Sequence, residues 1–128
     1  MKIDLPLRIP VSRSKDFILN INNYRNAHHF TVSTAKRNYT AIVWDLVRNQ
    51  KVEGPVQLTY TYFHPTKGKV DISNSCSIID KFTCDALTLA WVWDDDDAKV
   101  VRKVSYVWGG VDKENPRCEL LIEKCFEV

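Results

Sequence analysis

The sequence has no apolar run approaching the roughly 20 residues that a membrane-spanning helix needs. Its N-terminus lacks a signal-peptide profile, because Asp4, Pro6 and Arg8 interrupt the apolar residues there. It contains no internal repeat, and its only low-complexity segment is a run of four aspartates. We therefore expect a soluble, cytoplasmic protein. With 128 residues, of which 45% are hydrophobic, it should form one domain over residues 1–128.

Cys-x-x-Cys pairs are also absent. The four cysteines, Cys76, Cys84, Cys118 and Cys125, are widely spaced, and no histidine stands beside them at zinc-ligand spacing. We therefore do not expect a zinc site. An even cysteine count would be compatible with disulfides in a secreted protein. Without a signal sequence, we instead expect buried, reduced thiols that act as small apolar side chains.

The net charge of +2 conceals an uneven distribution. Residues 1–70 contain eleven Lys and Arg against four Asp and Glu, whereas residues 71–128 contain seven against twelve. A basic half suits a polyanion and an acidic half suits a cation, which is the combination that a metal-dependent nuclease requires. The alternative is that these charges only cover solvated surfaces, and composition alone leaves both open.

The first half of the chain predicts one strand and one helix. Alternating apolar residues predict a half-buried strand over residues 3–9, at a sheet edge because Pro6 cannot donate a ladder hydrogen bond. Residues 10–31 are rich in Asn and His and predict a loop. Apolar residues at three- and four-residue spacing predict a helix over residues 33–48, capped by its first serine or threonine.

The second half predicts three strands and a second helix. Residues 56–63 alternate as a strand, and residues 75–90 have helical periodicity, with Lys81 spaced to pair with Asp85. Two further strands, over residues 99–108 and 118–126, are joined by a turn or short loop. This order predicts an α+β domain in which two helices pack on a mixed or antiparallel sheet.

Two acidic segments flank the second predicted helix. Asp71 precedes the helix, and the run Asp94-Asp95-Asp96-Asp97 follows it. Clustered carboxylates hold the hard cations that assist phosphodiester hydrolysis. A helix of 16 residues spans about 24 Å, so the two segments meet only if the adjoining strands bring them together. The alternative for the aspartate run is a solvated loop.

Three segments carry a resemblance to a known family. They are Asp71-Ile72-Ser73-Asn74, then Lys81-Phe82-Thr83-Cys84-Asp85-Ala86-Leu87, then the aspartate run followed by Ala98-Lys99-Val100-Val101. In order and local spacing they resemble the signature region of RusA-type Holliday junction resolvases. Residues 20–25 and 111–117 are similar to phage and Gram-positive members. The likeness covers nearly the whole chain, and it is strongest from Asp71 onward.

The resemblance implies a RusA-like fold and a homodimeric, Mg²⁺-dependent endonuclease, with Mn²⁺ able to substitute, that nicks two symmetry-related strands of a four-way junction. Two departures stand out. Ser73 replaces the second aspartate of the family's Asp-x-Asp-Asn segment, and the spacing from Asn74 to Lys81 is about one helical turn longer than in the compact members. Asp80 is the substitute acid that we weigh for Ser73, against the alternative of an exposed helical acid with no role.

The resemblance assigns further roles. Asp71 with one or both of Asp95 and Asp96 would bind Mg²⁺, and Lys81 would contact the scissile phosphate. Asn74 would orient a water on the metal or cap the second helix, and capping is the commoner use of such a residue. For Lys81 the alternative is a plain salt bridge with Asp85.

Basic residues of the first half are candidates for contacts with the DNA backbone. Two of them are predicted in the first turn of the first helix, where cations oppose the helix dipole, so a phosphate contact is a more interesting role for them than stabilising the helix. The alternative for each is a solvated surface cation. The four tryptophans, at positions 44, 91, 93 and 108, are predicted in the core or a dimer interface. The predicted DNA contacts are Arg25, Lys36, Arg37, Lys67 and Lys69.

Two other functions remain open from the sequence. Ser73 motivates a branched-DNA-binding protein that has lost catalysis. A nuclease that acts on other branched DNA, such as flaps or replication forks, is the third hypothesis.

Overall fold

A computed structural model describes residues 1–126, and within them the chain forms six strands and three helices. The fold is α+β with a mixed sheet, as predicted, and residues 127–128 lie outside the described part. In chain order the elements are β1 Lys2–Leu5, β2 Arg8–Pro10, β3 Asp16–Ile18, α1 Ile21–Asn26, α2 His29–Val47, β4 Val56–His64, α3 Ile72–Leu89, β5 Val101–Val111 and β6 Arg117–Lys124.

The main sheet has the strand order β1-β6-β4-β5. Strand β4 runs parallel to β5 and antiparallel to β6. Parallel strands need a crossover connection, and α3 provides it. Strands β5 and β6 follow one another in sequence but lie on opposite sides of β4, so residues 112–116 do not form a hairpin turn. One sheet edge is the four-residue β1 and the other is the eleven-residue β5. The single strand predicted over residues 3–9 is wrong, because the chain breaks at Pro6 and divides it between β1 and β2 of a second sheet.

The core lies between one face of this sheet and the helices. Alternate residues of β4 are buried, and they meet the buried stripes of α2 and α3. Each aliphatic side chain removed from water in this way contributes about 1.5–3 kcal/mol. The largest fully buried side chains include Tyr39, Tyr60, Leu58, Ile79, Leu87 and Leu120.

The prediction of a loop over residues 10–31 is wrong. This segment contains β3, α1 and the start of α2. Phe17 in β3 is only 4% exposed, and β3 pairs with β2 in a small second sheet. The side chain of Asn20 accepts a hydrogen bond from the backbone N–H of Asn23 (2.8 Å) and caps α1. Asparagine was interpreted as a loop former, but here it acts as a helix N-cap.

Both long helices begin earlier than predicted. Helix α2 starts at His29 and is capped by His28, whose Nδ1 accepts from the backbone N–H of Phe30 (3.2 Å). Lys36 and Arg37 therefore lie in the third turn of α2, so their predicted place in the first turn is wrong. Helix α3 starts at Ile72, three residues before the predicted start.

Among residues 1–126, no helix is long and apolar enough to cross a membrane. The four cysteines are buried and form no disulfide, as predicted. The four tryptophans were predicted in the core or a dimer interface. Of these, only Trp93 lies in the core, where it is 4% exposed. Trp44, Trp91 and Trp108 are 51%, 66% and 46% exposed, so these three large side chains lie at the surface of the isolated chain.

Candidate active site

Asp71 caps the N-terminus of α3. Its Oδ1 accepts hydrogen bonds from the backbone N–H groups of Ser73 (3.1 Å) and Asn74 (3.3 Å). An acid suits this position, because the first N–H groups of a helix lack partners and carry partial positive charge. The cap uses only one carboxylate oxygen. The exposed Asp71 side chain therefore keeps Oδ2 for a second partner.

Asn74 lies in the first turn of α3 and does not cap it, so the capping role predicted for this residue is wrong. Its Oδ1 accepts a hydrogen bond from the backbone N–H of Ile21 (3.0 Å). That contact joins residues 53 positions apart and ties the start of α1 to the start of α3. Asn74 thus positions α1 beside the Asp71 end of α3.

Asp80 faces the sheet from the middle of α3. Its Oδ1 accepts hydrogen bonds from the Tyr60 hydroxyl (2.7 Å) and the Cys84 thiol (3.3 Å), and its Oδ2 accepts from the Tyr106 hydroxyl (3.2 Å). Burial raises the pKa of both tyrosines, and the Asp80 charge raises it further. Both tyrosines therefore stay protonated and donate to the carboxylate.

This placement separates Asp80 from the other candidate residues. Asp80 follows Asp71 by nine positions in the sequence, or about 13 Å along the helix axis. Asp80 therefore does not fill the place of Ser73 beside Asp71 within the chain. Lys81, the next residue, is exposed on α3.

An acidic cleft lies beside the C-terminal half of α3. We use this name for a cavity of about 360 Å³ between α2, α3 and the aspartate run. Three carboxylates and one lysine give it its charge. The lining residues are Lys36, Thr40, Phe82, Asp85, Thr88, Leu89, Asp95 and Asp96.

Asp95 and Asp96 are held side by side in this cleft. The backbone N–H of Asp96 donates a hydrogen bond to Oδ1 of Asp95 (2.8 Å). The pKa of Asp96 is raised, first by its partial burial and then by the neighbouring carboxylates of Asp95 and Asp85. Crowded carboxylates of this kind repel one another until a cation neutralises them. The carboxylates of Asp85, Asp95 and Asp96 therefore concentrate negative charge in this cleft.

The four consecutive aspartates do not share one environment. Asp94 lines a different cavity, near Lys51 and Trp93. Oδ1 of Asp97 accepts from the backbone N–H of Lys99 (2.9 Å), and this turn leads into β5. Only Asp95 and Asp96 of the run line the acidic cleft, and they are the two that family spacing selects.

Asp71 and the acidic cleft lie toward opposite ends of α3 within one chain. An 18-residue helix is about 27 Å long, and the cleft is lined by residues of its second half. Residues 1–126 contain no group of three or more His, Cys, Asp or Glu side chains placed to hold a metal ion. The predicted metal site requires Asp71 to lie close to Asp95 and Asp96. The fold does not bring these residues together inside a single protomer.

Lys36 is the cation of the cleft. Its Nζ lies 3.9 Å from Oδ2 of Asp85 and above the rings of Tyr24 and Phe82, 5.9 and 5.7 Å from their centroids. Asp85 thus pairs with Lys36 of α2, and the predicted pairing with Lys81 is not formed. Pairing across two helices places a positive charge at the wall opposite the aspartate run.

The other predicted DNA contacts are spread over the surface. Arg25 is exposed in the last turn of α1, and Arg37 is exposed on α2. Lys67 and Lys69 lie in the exposed segment that leads from β4 to Asp71. Arg25, Lys67 and Lys69 therefore lie toward the Asp71 end of α3, whereas Lys36 lies at the acidic cleft.

Two groups of site residues escaped the sequence interpretation. Asp85 was assigned to a surface salt bridge, yet it lines the cleft. Tyr60 and Tyr106 were interpreted as strand residues, yet they hold Asp80. The i,i+4 spacing of Lys81 and Asp85 gave a local partner that the tertiary structure overrides. No sequence signal pairs residues of β4 and β5 with the middle of α3.

Comparison with protein-family models and with curated proteins gave no match to this chain.

Proposed function

We propose that the protein is a magnesium-dependent endonuclease of the RusA type that resolves four-way DNA junctions by paired symmetric nicks. The observation that carries this proposal is the pair of adjacent carboxylates, Asp95 and Asp96, in an open cleft with Lys36 on its other wall. Carboxylates suit a hard cation and the lysine suits a phosphate, so both partners of a phosphodiester hydrolysis find a complementary charge.

The donor set fits Mg²⁺. Mg²⁺ usually keeps several waters and binds through one or two carboxylates together with the phosphates of its substrate. Asp95 and Asp96 supply the carboxylates, and their mutual repulsion in the metal-free cleft favours neutralisation. When bound, the ion would polarise the scissile phosphate and activate a water, and Mn²⁺ would substitute. Lys36 and the exposed Lys81 would hold the phosphate.

The proposed metal site requires a homodimer. If Asp71 and the cleft serve one metal ion, the two must come from different protomers, because about 27 Å separates the two ends of the helix. A two-fold dimer would then contain two equivalent centres, one for each of the two opposed strands of a junction. Acting on recombining DNA, the protein would work in the cytoplasm of a bacterial or phage-infected cell.

The test is cleavage of a synthetic four-way junction with and without Mg²⁺. Asp96→Asn should lower the nicking rate by a factor on the order of 100 or more, because it removes a charge that holds the cation. Asp94→Asn is the matched control, since Asp94 belongs to the same run but lies outside the cleft, and it should cut at the wild-type rate. Equal rates for both variants would rule out the cleft as the active centre.

Asp71→Asn tests the other acidic segment. Asparagine caps a helix as well as aspartate does, so this variant keeps α3 and loses only the charge. Cutting should be abolished, while junction binding measured in EDTA stays the same or tightens. Wild-type cutting by Asp71→Asn would exclude Asp71 from the metal site.

A second candidate is a branched-DNA-binding protein without catalysis. It is favoured by the absence, within residues 1–126 of one chain, of a cluster of three metal-ligating side chains. Such a protein would bind junctions with a steep dependence on salt and nick none of them at any Mg²⁺ or Mn²⁺ concentration. Parallel assays on flaps and forks would show whether another branched DNA is the preferred substrate.

A further inference from the structure

Three aromatic rings form an exposed cluster at the start of α2. The ring centroids of His28 and His29 lie 4.4 Å apart, those of His28 and Phe30 lie 5.1 Å apart, and those of His29 and Phe30 lie 4.3 Å apart. All three residues are exposed, and Phe30 is 69% exposed. Packing of the core does not account for this cluster, because none of its residues is buried. The cluster presents flat aromatic faces to solvent.

The solvent face of α2 continues from this cluster in a regular pattern. Phe30, Arg37 and Trp44 follow one another at intervals of seven residues, and each interval changes the direction around the helix by only about 20°. Ala41 lies on the same face and is exposed, and Trp44 is 51% exposed. Phe30 and Trp44 are about 21 Å apart along the helix axis. We call the residues Phe30, Arg37, Ala41 and Trp44 the α2 stripe.

The α2 stripe belongs to a segment without acidic residues. Residues 17–44 contain no Asp or Glu, but they contain three Lys and Arg. Of the two acids that flank this segment, Asp16 pairs with Arg8 at 3.6 Å, and Asp45 follows Trp44. Among residues 1–126, the exposed Arg37 forms no ion pair. A basic surface of this kind suits a polyanion.

The α2 stripe is separate from the acidic cleft. Lys36 lines the cleft and lies 3.9 Å from Asp85. At 3.6 residues per turn, Lys36 projects about 120° around the helix from Phe30. The stripe therefore provides a second surface on the same helix, and the proposed cleavage reaction uses none of its residues except the predicted phosphate contact of Arg37.

We propose that the α2 stripe binds single-stranded nucleic acid, with unpaired bases stacked on Phe30 and Trp44 and a phosphate held by Arg37 between them. His28 and His29 extend the aromatic surface beside Phe30. This binding goes beyond the proposed function, because it needs neither a metal ion nor a four-way junction.

Two features of the stripe select a single strand as its ligand. Aromatic side chains stack on bases whose faces are free, and such bases occur in single strands, loops and ends. In a duplex the bases cover one another's faces. Arginine supplies the positive charge that the phosphate backbone requires. A single strand offers both groups at short, repeated intervals, as the alternation of aromatic residues with Arg37 requires.

The test is fluorescence anisotropy of a labelled oligo(dT) of about 20 nucleotides, in EDTA. The matched ligand is an abasic oligonucleotide of the same length, which keeps the phosphates and lacks the bases. The wild-type chain should bind oligo(dT) on the order of tenfold more tightly than the abasic oligonucleotide. Equal affinities for the two would overturn the proposal. An oligo(U) of the same length is measured in parallel, and the tighter of oligo(dT) and oligo(U) identifies the preferred sugar.

Phe30→Ala should remove most of the preference for oligo(dT) over the abasic oligonucleotide. Binding of the abasic oligonucleotide should not change, because the substitution removes a ring and no charge. Phe126→Ala is the matched control, since Phe126 is 84% exposed but follows β6, outside the α2 stripe. Phe30→Trp should keep the preference or increase it. Equal preferences in Phe30→Ala and Phe126→Ala would assign the exposed ring to another partner and overturn the proposal.

Arg37→Gln tests the phosphate contact. It should weaken the binding of both oligonucleotides and reduce the slope of log affinity against log salt concentration by about 0.7, the value for one contact with a single strand. Arg102→Gln, at an exposed position of β5, should keep the wild-type slope. An unchanged slope in Arg37→Gln would overturn the proposed role of Arg37.

Two further variants keep the test decisive if Phe30→Ala folds poorly. His28→Asn removes one ring of the cluster and keeps the cap of α2, because asparagine is a favoured N-cap residue. It should lower the affinity for oligo(dT) alone. Oligo(dT) should quench the tryptophan fluorescence of the wild-type chain, and Trp44→Leu should show less quenching. Wild-type behaviour of both variants would exclude stacking on α2.

These measurements use neither a metal ion nor a junction. A chain that binds oligo(dT) through the α2 stripe but nicks no junction would overturn the proposed function and leave this inference intact. A chain that nicks junctions but binds both oligonucleotides equally would do the opposite.

Discussion

At the scale of single residues, the hydrogen bonds around Asp80 join the middle of α3 to two strands of the sheet. The hydroxyl of Tyr60 is fully buried, whereas Tyr106 is only partly buried. A half-buried carboxylate is costly without donors, and each of its oxygens has at least one. Asp80 therefore acts in this chain as a link between helix and sheet.

Tyr60→Phe should destabilise the protein by about 1.5–3 kcal/mol, because the charged acceptor loses a buried donor. Tyr106→Phe should cost less, since its bond is longer (3.2 against 2.7 Å) and water reaches the site. Urea unfolding measures both values. An equal or larger loss in Tyr106→Phe would contradict the ranking.

Asp96 gives a pH-dependent prediction in the metal-free protein. Its pKa is raised in the folded state, so the folded state binds the proton more tightly than the unfolded state does. The loss of folding stability caused by the charged Asp96 carboxylate is absent below the ordinary pKa of an aspartate. It grows as the pH rises to the raised pKa of Asp96 and is complete at pH 7. In EDTA at pH 7, Asp96→Asn should therefore be more stable than wild type by up to about 1 kcal/mol, because water screens this exposed group.

The same comparison at acidic pH serves as its control. Below the ordinary pKa of an aspartate both proteins carry an uncharged side chain at position 96, so the stability gain should vanish. A gain that persists at low pH would assign the effect to something other than carboxylate repulsion. Thermal unfolding at a series of pH values measures it.

At the scale of single residues, the sequence alone does not assign the surroundings or partners of the acidic side chains. The four consecutive aspartates are chemically identical, so the sequence does not tell them apart. The path of the chain after α3 places Asp95 and Asp96 in the cleft with Lys36, while Asp94 and Asp97 have other surroundings. Family spacing selected the same two residues. The partner of Asp85 was predicted incorrectly, because a neighbour on the same helix was the only partner that sequence spacing offers.

At the scale of secondary structure, α1 depends on a contact that is distant in sequence. The helix has six residues and none of them is buried. Helices this short are marginal by themselves, so the bond from Ile21 to Asn74 and the Asn20 cap hold it in place. The basic residue Arg25 is positioned through this attachment.

Asn74→Ala should release α1 without disturbing α3, whose cap is Asp71. We expect faster amide hydrogen exchange in residues 21–26 and a loss of about 1 kcal/mol in stability. Ser73→Ala, one residue away, should leave exchange in α1 unchanged. Faster exchange throughout α3 as well would show that Asn74 supports more than α1.

Strong periodicity made the longer elements predictable. The alternation of β4 and the helical spacing of α2 and α3 correspond to buried faces, so their existence and type could be predicted. The start of β4 was predicted correctly, and the predicted starts of α2 and α3 were four and three residues late. Helix α1 and strand β3 could not be predicted, because each is too short to show a period and each is held by neighbours elsewhere in the chain.

At the scale of the whole molecule, Mg²⁺ binding and assembly should be coupled. If the metal site uses both protomers, millimolar Mg²⁺ should stabilise the wild-type protein and raise its melting temperature. The free energy of unfolding should increase by about 1.4 kcal/mol when the free Mg²⁺ concentration is ten times the dissociation constant. Asp71→Asn should lose this shift, while Asp94→Asn keeps it. A full shift in Asp71→Asn would exclude Asp71 from the metal site.

Strand order was also beyond the reach of the sequence. Strands β5 and β6 are consecutive, and adjacent strands usually pair, yet β4 lies between them. Arg117 helps to hold the crossing segment, since it donates to Asp112 (2.8 Å) and Glu119 (3.0 Å) and stacks on the ring of Phe63 at 4.0 Å. Within residues 1–126, this arrangement leaves β5 as the long strand at the boundary of the sheet.

The two boundary strands of the sheet differ in length, and this difference limits the addition of strands from other molecules. Within residues 1–126, the sheet has one long boundary strand, β5, and its other boundary is a four-residue segment that ends before a proline. Head-to-tail stacking, which produces fibres, has no site at which to continue. We therefore expect the protein to form no filaments when it is concentrated, even though its boundary strand β5 has eleven residues.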